Sequence, residues 1–135
     1  MLQWGVASGR IFLVRHGQTE WSRTGRHTGR TDVPLEPGGR AEAEAVGRLL
    51  GGHAFALVLT SSLGRAVETC RLAGFGDRAE PCDDLLEWDY GTYEGRTSDE
   101  IRAGRPGWTL WTEGVPGGET AADVGRRADR VVARA

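Results

Sequence analysis

Ile11-Phe12-Leu13-Val14-Arg15-His16-Gly17-Gln18-Thr19-Glu20-Trp21 decides how the rest of the chain reads. Four bulky apolar residues in succession, with no polar alternation, predict a short strand buried on both faces. Arg15 and His16 then leave that strand side by side, and Gly17 permits a sharp backbone turn. Further along, Ala54–Leu59 predicts a second apolar strand and Asp83–Glu87 a third, short one. Between them, Glu36–Gly51 predicts a helix with Pro37 in its first turn and Ala41, Ala45, Val46, Leu49 and Leu50 on one stripe. Thr60-Ser61-Ser62 opens another helix that runs through Leu72 and closes at Gly74. Thr97-Ser98-Asp99-Glu100 is a capping box for a short helix that Gly104 and Pro106 terminate. Thr120-Ala121-Ala122-Asp123 resembles a second box and opens a helix with Ala121, Val124, Ala128, Val131 and Val132 on one side. Strands alternating with helices predict an α/β fold with a largely parallel sheet, whose ligands sit beyond the carboxyl ends of the strands.

The bulk properties narrow the function. A chain of 135 residues is enough for one domain with a core. The net charge of −2 argues against a general nucleic-acid binder. All 17 basic residues are Arg, whose fixed fork of donors suits phosphate oxygens, although a GC-rich genome explains most of them as well. Cys70 and Cys82 have no metal-ligand or redox spacing. No apolar run approaches the roughly 20 residues of a membrane span. Met1–Arg10 shows no basic region followed by an apolar stretch, so the expectation is a cytoplasmic protein without a leader.

Three clusters carry possible chemistry. In the first, a neutral His16 imidazole could attack phosphorus while Arg15 and the Thr19 hydroxyl hold phosphate oxygens. The plain alternative is a loop histidine bonded to a backbone carbonyl. In the second, Ser61-Ser62-Leu63-Gly64-Arg65, the cation Arg65 stands in the first turn of a helix. It opposes the macrodipole there unless an anion visits. A solvated surface arginine is the alternative. The third, Leu86-Glu87-Trp88-Asp89-Tyr90-Gly91-Thr92-Tyr93-Glu94-Gly95, sets acids among aromatics, where a carboxyl can donate a proton near neutral pH. Its alternative is a loop anchored by aromatics with its acids in water.

These clusters, in this order and at these separations, resemble the histidine phosphatase superfamily from about Arg10 to the end of the chain. Leu85–Gly91, Pro106-Gly107-Trp108 and Pro116-Gly117-Gly118-Glu119-Thr120 look most like the sedoheptulose-bisphosphatase-like sugar-phosphate phosphatases and less like the phosphoglycerate mutases. The resemblance implies a phosphoglycerate-mutase-like three-layer sandwich over residues 1–135 as a single domain. It implies His16 as nucleophile, Arg15 and Arg65 as phosphate clamps, and Glu87 as the acid that protonates the leaving alcohol and then activates water. Gln18 and Thr19 would lie in the phosphate loop. Ser22, where many relatives have Asn, would contact phosphate. Thr28 and Gly29 would belong to a loop over the substrate, with His27 beside them, and Tyr90 would line the pocket. The implied partner is a small phosphorylated substrate. No metal, cofactor, nucleic acid or membrane is implied.

The family pattern also has a second catalytic His, followed by Gly, after a later strand. The chain has three His, and neither His27 nor His53, expected at the surface before the second strand, fits that place. The resemblance therefore implies a domain lacking its last strand and helix, with the Ile11–Val14 edge left exposed. Three activities follow as expectations: a phosphatase of small phosphate esters, a mutase using the same site, or a catalytically impaired domain that binds phosphate or a partner.

Overall fold

Local capping chemistry starts most of the helices in the structure, a computed structural model that describes residues 9–135. The expected absence of a leader, and the start of the expected domain, fall on residues 1–8, outside the described residues. The elements in chain order are α1 (Glu20–Arg23), α2 (Pro37–Leu50), β1 (Leu59–Thr60), α3 (Gly64–Leu72), β2 (Glu80–Pro81), α4 (Ser98–Gly104), α5 (Leu110–Glu113) and α6 (Ala121–Arg134). The boxes Thr97/Glu100 and Thr120/Asp123 form as expected and open α4 and α6. A further one, Thr19/Ser22, opens α1. α2 begins with Pro37 in its first turn. α3 begins at Gly64 rather than at the Thr60-Ser61-Ser62 run. Its cap comes from a distant loop, where the Asp32 carboxylate accepts the Gly64 N–H at 2.9 Å. Among the described residues, no helix is long and apolar enough to cross a membrane.

The class is α/β with a small parallel sheet. β1 pairs with β2 in register Leu59↔Glu80 and Thr60↔Pro81, and α3 makes the crossover between them. Three strand expectations need correction. Ile11–Val14 pairs with no strand among the described residues, and Leu13 is 92% exposed. A strand is stabilised by a partner for its N–H and C=O groups, and none of the described residues supplies one here. Only Phe12 finds aromatic company there, edge-on to Phe55 at 5.3 Å and to His53 at 5.0 Å. His53 is accordingly half-buried and stacked on Phe55, and its buried Nδ1 has no hydrogen-bond partner among the described residues. In Ala54–Leu59 only Leu59 joins the sheet. Asp83–Leu85 forms a 3₁₀ turn instead of a strand. The pairing residues are Glu80 and Pro81, one residue upstream of it, where Pro81 is tolerated because it lacks only an N–H.

Two helix faces also differ from the pattern read in sequence. α2 buries Gly39 and Ala43, whereas Ala41 is exposed and Leu49 points largely to solvent. The reason is backbone proximity. A Cβ on Gly39 would overlap the Gln18 carbonyl, and one on Gly47 would stand 2.8 Å from the Ala73 carbonyl oxygen. The smallest residues must therefore face inward. On α6, Ala121, Ala128 and Val132 are exposed. The helix docks through Arg127, Arg130 and Arg134, which bond to the segment between Glu80 and Leu86. The compact apolar cluster is Tyr93, Ile101 and Trp108, flanked by Leu110 and Val115. Trp108 joins this core, 2% exposed. Trp111 does not, being 75% exposed and touching Trp88 by its edge.

Gly39→Ala isolates the tight α2 contact. In a free helix the change stabilises by up to about 1 kcal/mol. Here the added methyl meets backbone, so the expected outcome is a destabilisation of about 1–3 kcal/mol, measured as a lower midpoint in urea unfolding.

Candidate active site

The His16 loop is set by the helices beneath it. The Gly17 N–H donates to the Thr69 hydroxyl at 3.0 Å, and that hydroxyl donates to the Arg65 carbonyl at 2.7 Å. Thr69 stands one turn after Arg65 on α3, so the two meet on one helix face. The Gln18 N–H donates to the Glu42 carboxylate of α2 at 2.9 Å. Gly17 lies so close to Gly39 that a Cβ would overlap the Gly39 carbonyl.

His16 is half-buried. Its Nδ1 lies 2.8 Å from the Gly17 carbonyl oxygen. A carbonyl only accepts, so Nδ1 carries the proton and the lone pair of the neutral ring is on Nε2. Burial pushes the His16 pKa below 6.5, with the Arg65 and Arg15 charges adding, against the Gly17 bond and Glu87. The ring is therefore neutral at pH 7.

Two cavities meet at Arg15, His16 and Ser22. The smaller, about 240 Å³, also has Arg26, His27, Thr28, Glu87, Tyr90 and Ser98 in its walls. The larger, about 390 Å³, lies toward α2 and α3 and adds Gln18, Glu42, Ala43, Val46 and Thr69. The smaller one joins an imidazole, a guanidinium and a carboxyl, the groups suited to acid–base and phosphate chemistry. Glu87 is exposed at its edge, with its carboxylate accepting the Trp88 N–H at 2.8 Å. Of the neighbouring aromatics, Tyr90 shares the cavity. Trp88 turns inward and donates its Nε1–H to the Glu119 carbonyl at 2.8 Å. Burial, then the Glu87 charge, raises the Tyr90 phenol to about 12, so it stays a neutral hydroxyl.

Arg65, Thr19 and Gly29 line neither cavity. Arg65 is 1% exposed, not a surface arginine. Its guanidinium donates to the carbonyls of Thr31 at 2.9 Å, Thr28 at 3.2 Å and Gly29 at 2.7 Å. Those bonds use three of an arginine's five N–H donors, leaving Nε–H and one Nη1–H. From the opposite side Glu94 accepts the N–H groups of Gly29 at 3.1 Å and Thr31 at 2.8 Å. Thr19 is fully buried, with its hydroxyl accepting the Ser22 N–H, and Ser22 Oγ donates to the Thr19 carbonyl.

The structure thus brings Arg15, His16, Ser22, Thr28, Glu87 and Tyr90 around one cavity. Gln18 stands in the wall of the other, while Arg65, Thr19 and Gly29 form the frame. Sequence reading missed Arg26 and Ser98 in the wall, and Thr69, Glu94, Glu119 and Arg127 in the frame. For Thr69 the i, i+4 spacing from Arg65 was the available signal. Among the described residues, no group of three or more His, Cys, Asp or Glu is arranged to hold a metal ion.

Residues 11–135 match the family model of the histidine phosphatase superfamily, branch 1. The chain belongs to this superfamily. It is 47% identical to an acid phosphatase of Mycobacterium tuberculosis, over 97% of this chain and 65% of that protein. It is 36% identical to the sedoheptulose 1,7-bisphosphatase of Saccharomyces cerevisiae, over 93% of this chain and 55% of that one. Bacterial 2,3-bisphosphoglycerate-dependent phosphoglycerate mutases are among its other relatives. The solved structure of a Mycobacterium tuberculosis open reading frame product superposes with a TM-score of 0.82 at 46% identity. It covers 89% of this chain and 63% of that one. This histidine phosphatase chain therefore spans under two thirds of the length of these relatives.

Around Glu119 the frame has its strongest charge pair. Arg127 donates to both carboxylate oxygens, at 2.7 and 2.8 Å. That bond, with the Asp89 N–H and Arg30 adding, holds the Glu119 pKa down to about 2. A depressed carboxylate stabilises the fold above its unfolded value of 4.5, and that stability is lost as pH falls toward 2. The urea midpoint of the native chain should exceed that of Glu119→Gln by a constant margin above pH 4.5, and the margin should vanish on acidification. Arg65→Met removes the donors of three carbonyls, each of which costs about 1–3 kcal/mol if left bare. The expected result is a loss on the order of 3 kcal/mol in urea unfolding, with faster amide exchange at Gly29 and Thr31.

Proposed function

We propose that the protein hydrolyses small phosphate monoesters, with sugar phosphates as the substrate class, through a phosphoryl group carried on His16. The observation that carries this reading is the His16 ring. Its Nδ1–H is tied to the Gly17 carbonyl, and the neutral ring faces a cavity it shares with Arg15 and Glu87. Nε2 attacks phosphorus, the P–O bond to the alcohol breaks, and the Glu87 carboxyl gives its proton to the departing oxygen. The Glu87 carboxylate then takes a proton from water as that water attacks phospho-His16, which releases inorganic phosphate and restores the ring. Arg15 balances the charge on the phosphoryl oxygens without a metal, and the buried Arg65 guanidinium adds its positive charge from behind the cavity wall. A cavity of about 240 Å³ with Ser22, Thr28, Arg26 and Ser98 in its wall suits a compact polyhydroxylated ester. The same proposal sets the reaction in the cytoplasm, where Cys70 and Cys82 stay as the free thiols they are.

The test is phosphate release from a panel of sugar phosphates and an aryl phosphate. It compares this chain, any longer form its reading frame encodes, and His16→Ala in each. Release should need no bisphosphate primer, which separates hydrolysis from mutase transfer. His16→Ala should abolish it and remove the acid-labile phosphohistidine signal in ³¹P NMR. Because protonation disables Nε2, the acid limb of phosphoryl uptake should lie below pH 6.5. Turnover that survives His16→Ala, or a folded longer form with none, would end the catalytic reading and leave phosphate binding in its place.

A further inference from the structure

The proton donor has little of its own to hold it. Glu87 is exposed, and among the described residues its carboxylate has one hydrogen bond, from the N–H of the next residue. Where the carboxyl sits is therefore decided by the backbone from Asp84 to Asp89. Besides the local turn bonds of Leu85 and Leu86 to Cys82 and Asp83, that backbone is held from two side chains and their neighbour Arg30. Arg127 of α6 donates from Nη1 to the carbonyls of Asp84 and Leu86, both at 2.8 Å. The Asp89 N–H donates to Glu119 Oε2 at 2.9 Å, and the Glu119 N–H returns a bond to the Asp89 carbonyl at 2.9 Å. The Trp88 indole also ends on the Glu119 carbonyl. Arg30 donates to the Glu87 carbonyl at 3.1 Å and stands 3.3 Å from Glu119. Glu119 and Arg127 then close on each other as a two-pronged pair with side-chain exposures of 18% and 12%. Neither lines a cavity.

We propose that the Glu119–Arg127 pair is a positioning device for Glu87, fixing the carboxyl where it can protonate the departing alcohol. This rests on the reading of Glu87 as proton donor. Exposed ion pairs generally contribute little. This one is largely shielded and bidentate, and it adds main-chain bonds on both sides of the residue it serves. Glu119 stays ionised far below neutral pH, so the brace holds unchanged wherever the enzyme is assayed.

A brace of this kind has a signature that general damage lacks. An alkyl phosphate leaves as a basic alkoxide and needs the proton, whereas p-nitrophenolate leaves without it. The constant kcat/KM reports only the steps up to alcohol release, so water activation does not enter. In Arg127→Met and Glu119→Gln, kcat/KM for glycerol 3-phosphate should fall about 10²-fold, the cost of a small misplacement of a catalytic group. The value for p-nitrophenyl phosphate should change by less than about threefold, since no proton transfer is lost there. In a Glu87→Gln background the same substitutions should cost nothing further on the alkyl substrate. Arg127→Lys, which keeps the charge without the fork, should behave like Arg127→Met. Parallel loss on both substrates, or a loss that adds to that of Glu87→Gln, would overturn the brace while leaving the phosphatase reading intact. An alkyl-to-aryl ratio unmoved by Glu87→Gln itself would remove the proton-donor role and the brace with it. Absence of any His16-dependent turnover would remove the whole catalytic reading. Should Arg127→Met fail to fold by circular dichroism, Glu119→Gln and Arg127→Lys carry the same comparison.

Discussion

A buried guanidinium on peptide carbonyls organises this molecule. Arg65 enters from the first turn of α3 and takes the carbonyls of Thr28, Gly29 and Thr31, while Glu94 takes the N–H groups of Gly29 and Thr31. One irregular loop is thus gripped through both polar edges of its backbone. Three segments far apart in sequence become one body by this means. The Asp32 that follows caps α3 in return, so helix and loop hold each other. Burying a charge is costly unless its donors find acceptors, and the acceptors here are the main chain of the loop itself. The loop's shape and the arginine's burial are one condition seen from two sides.

The division of labour around the cavity follows from that arrangement. Groups suited to touch a substrate sit at the rim or are half-exposed, namely Arg15, His16, Glu87 and Tyr90. Groups buried beneath them hold backbone: Thr69 for Gly17, Arg65 and Glu94 for the 28–31 loop, and Arg127 with Glu119 for the segment around Glu87. Polar side chains account for each of these attachments. Apolar packing is concentrated around Tyr93, Ile101 and Trp108, which meets the cavity wall through the His27 ring.

What was legible in the sequence was what depends on neighbours along the chain. The Thr97/Glu100 box and the α6 start were readable because a cap acts over three residues. The Thr19/Ser22 box was missed because its second member is a serine rather than Glu or Gln. The candidate cavity residues were readable as clusters flanking apolar runs. Strands were the poorest part, since pairing depends on a distant partner. Glu80–Pro81 pairs without strand propensity, and Ile11–Val14 has the propensity without a pair among the described residues. The Asp32 cap was invisible for the same reason, since Asp32 and Gly64 lie 32 residues apart, and the Glu119–Arg127 pair, reaching across the start of α6, follows no helical spacing.

The way α6 is attached carries a thermal consequence. Its contacts are guanidinium bonds to Asp84, Leu86, Glu119 and Glu80, with the apolar residues of the helix mostly in solvent. Apolar burial gives unfolding its large heat capacity and weakens on cooling, whereas polar contacts carry the opposite sign. Detachment of α6 therefore adds little to the heat-capacity change of the whole chain. Cooling therefore weakens what holds the Trp108 cluster more than it weakens what holds the arginine-fastened helix.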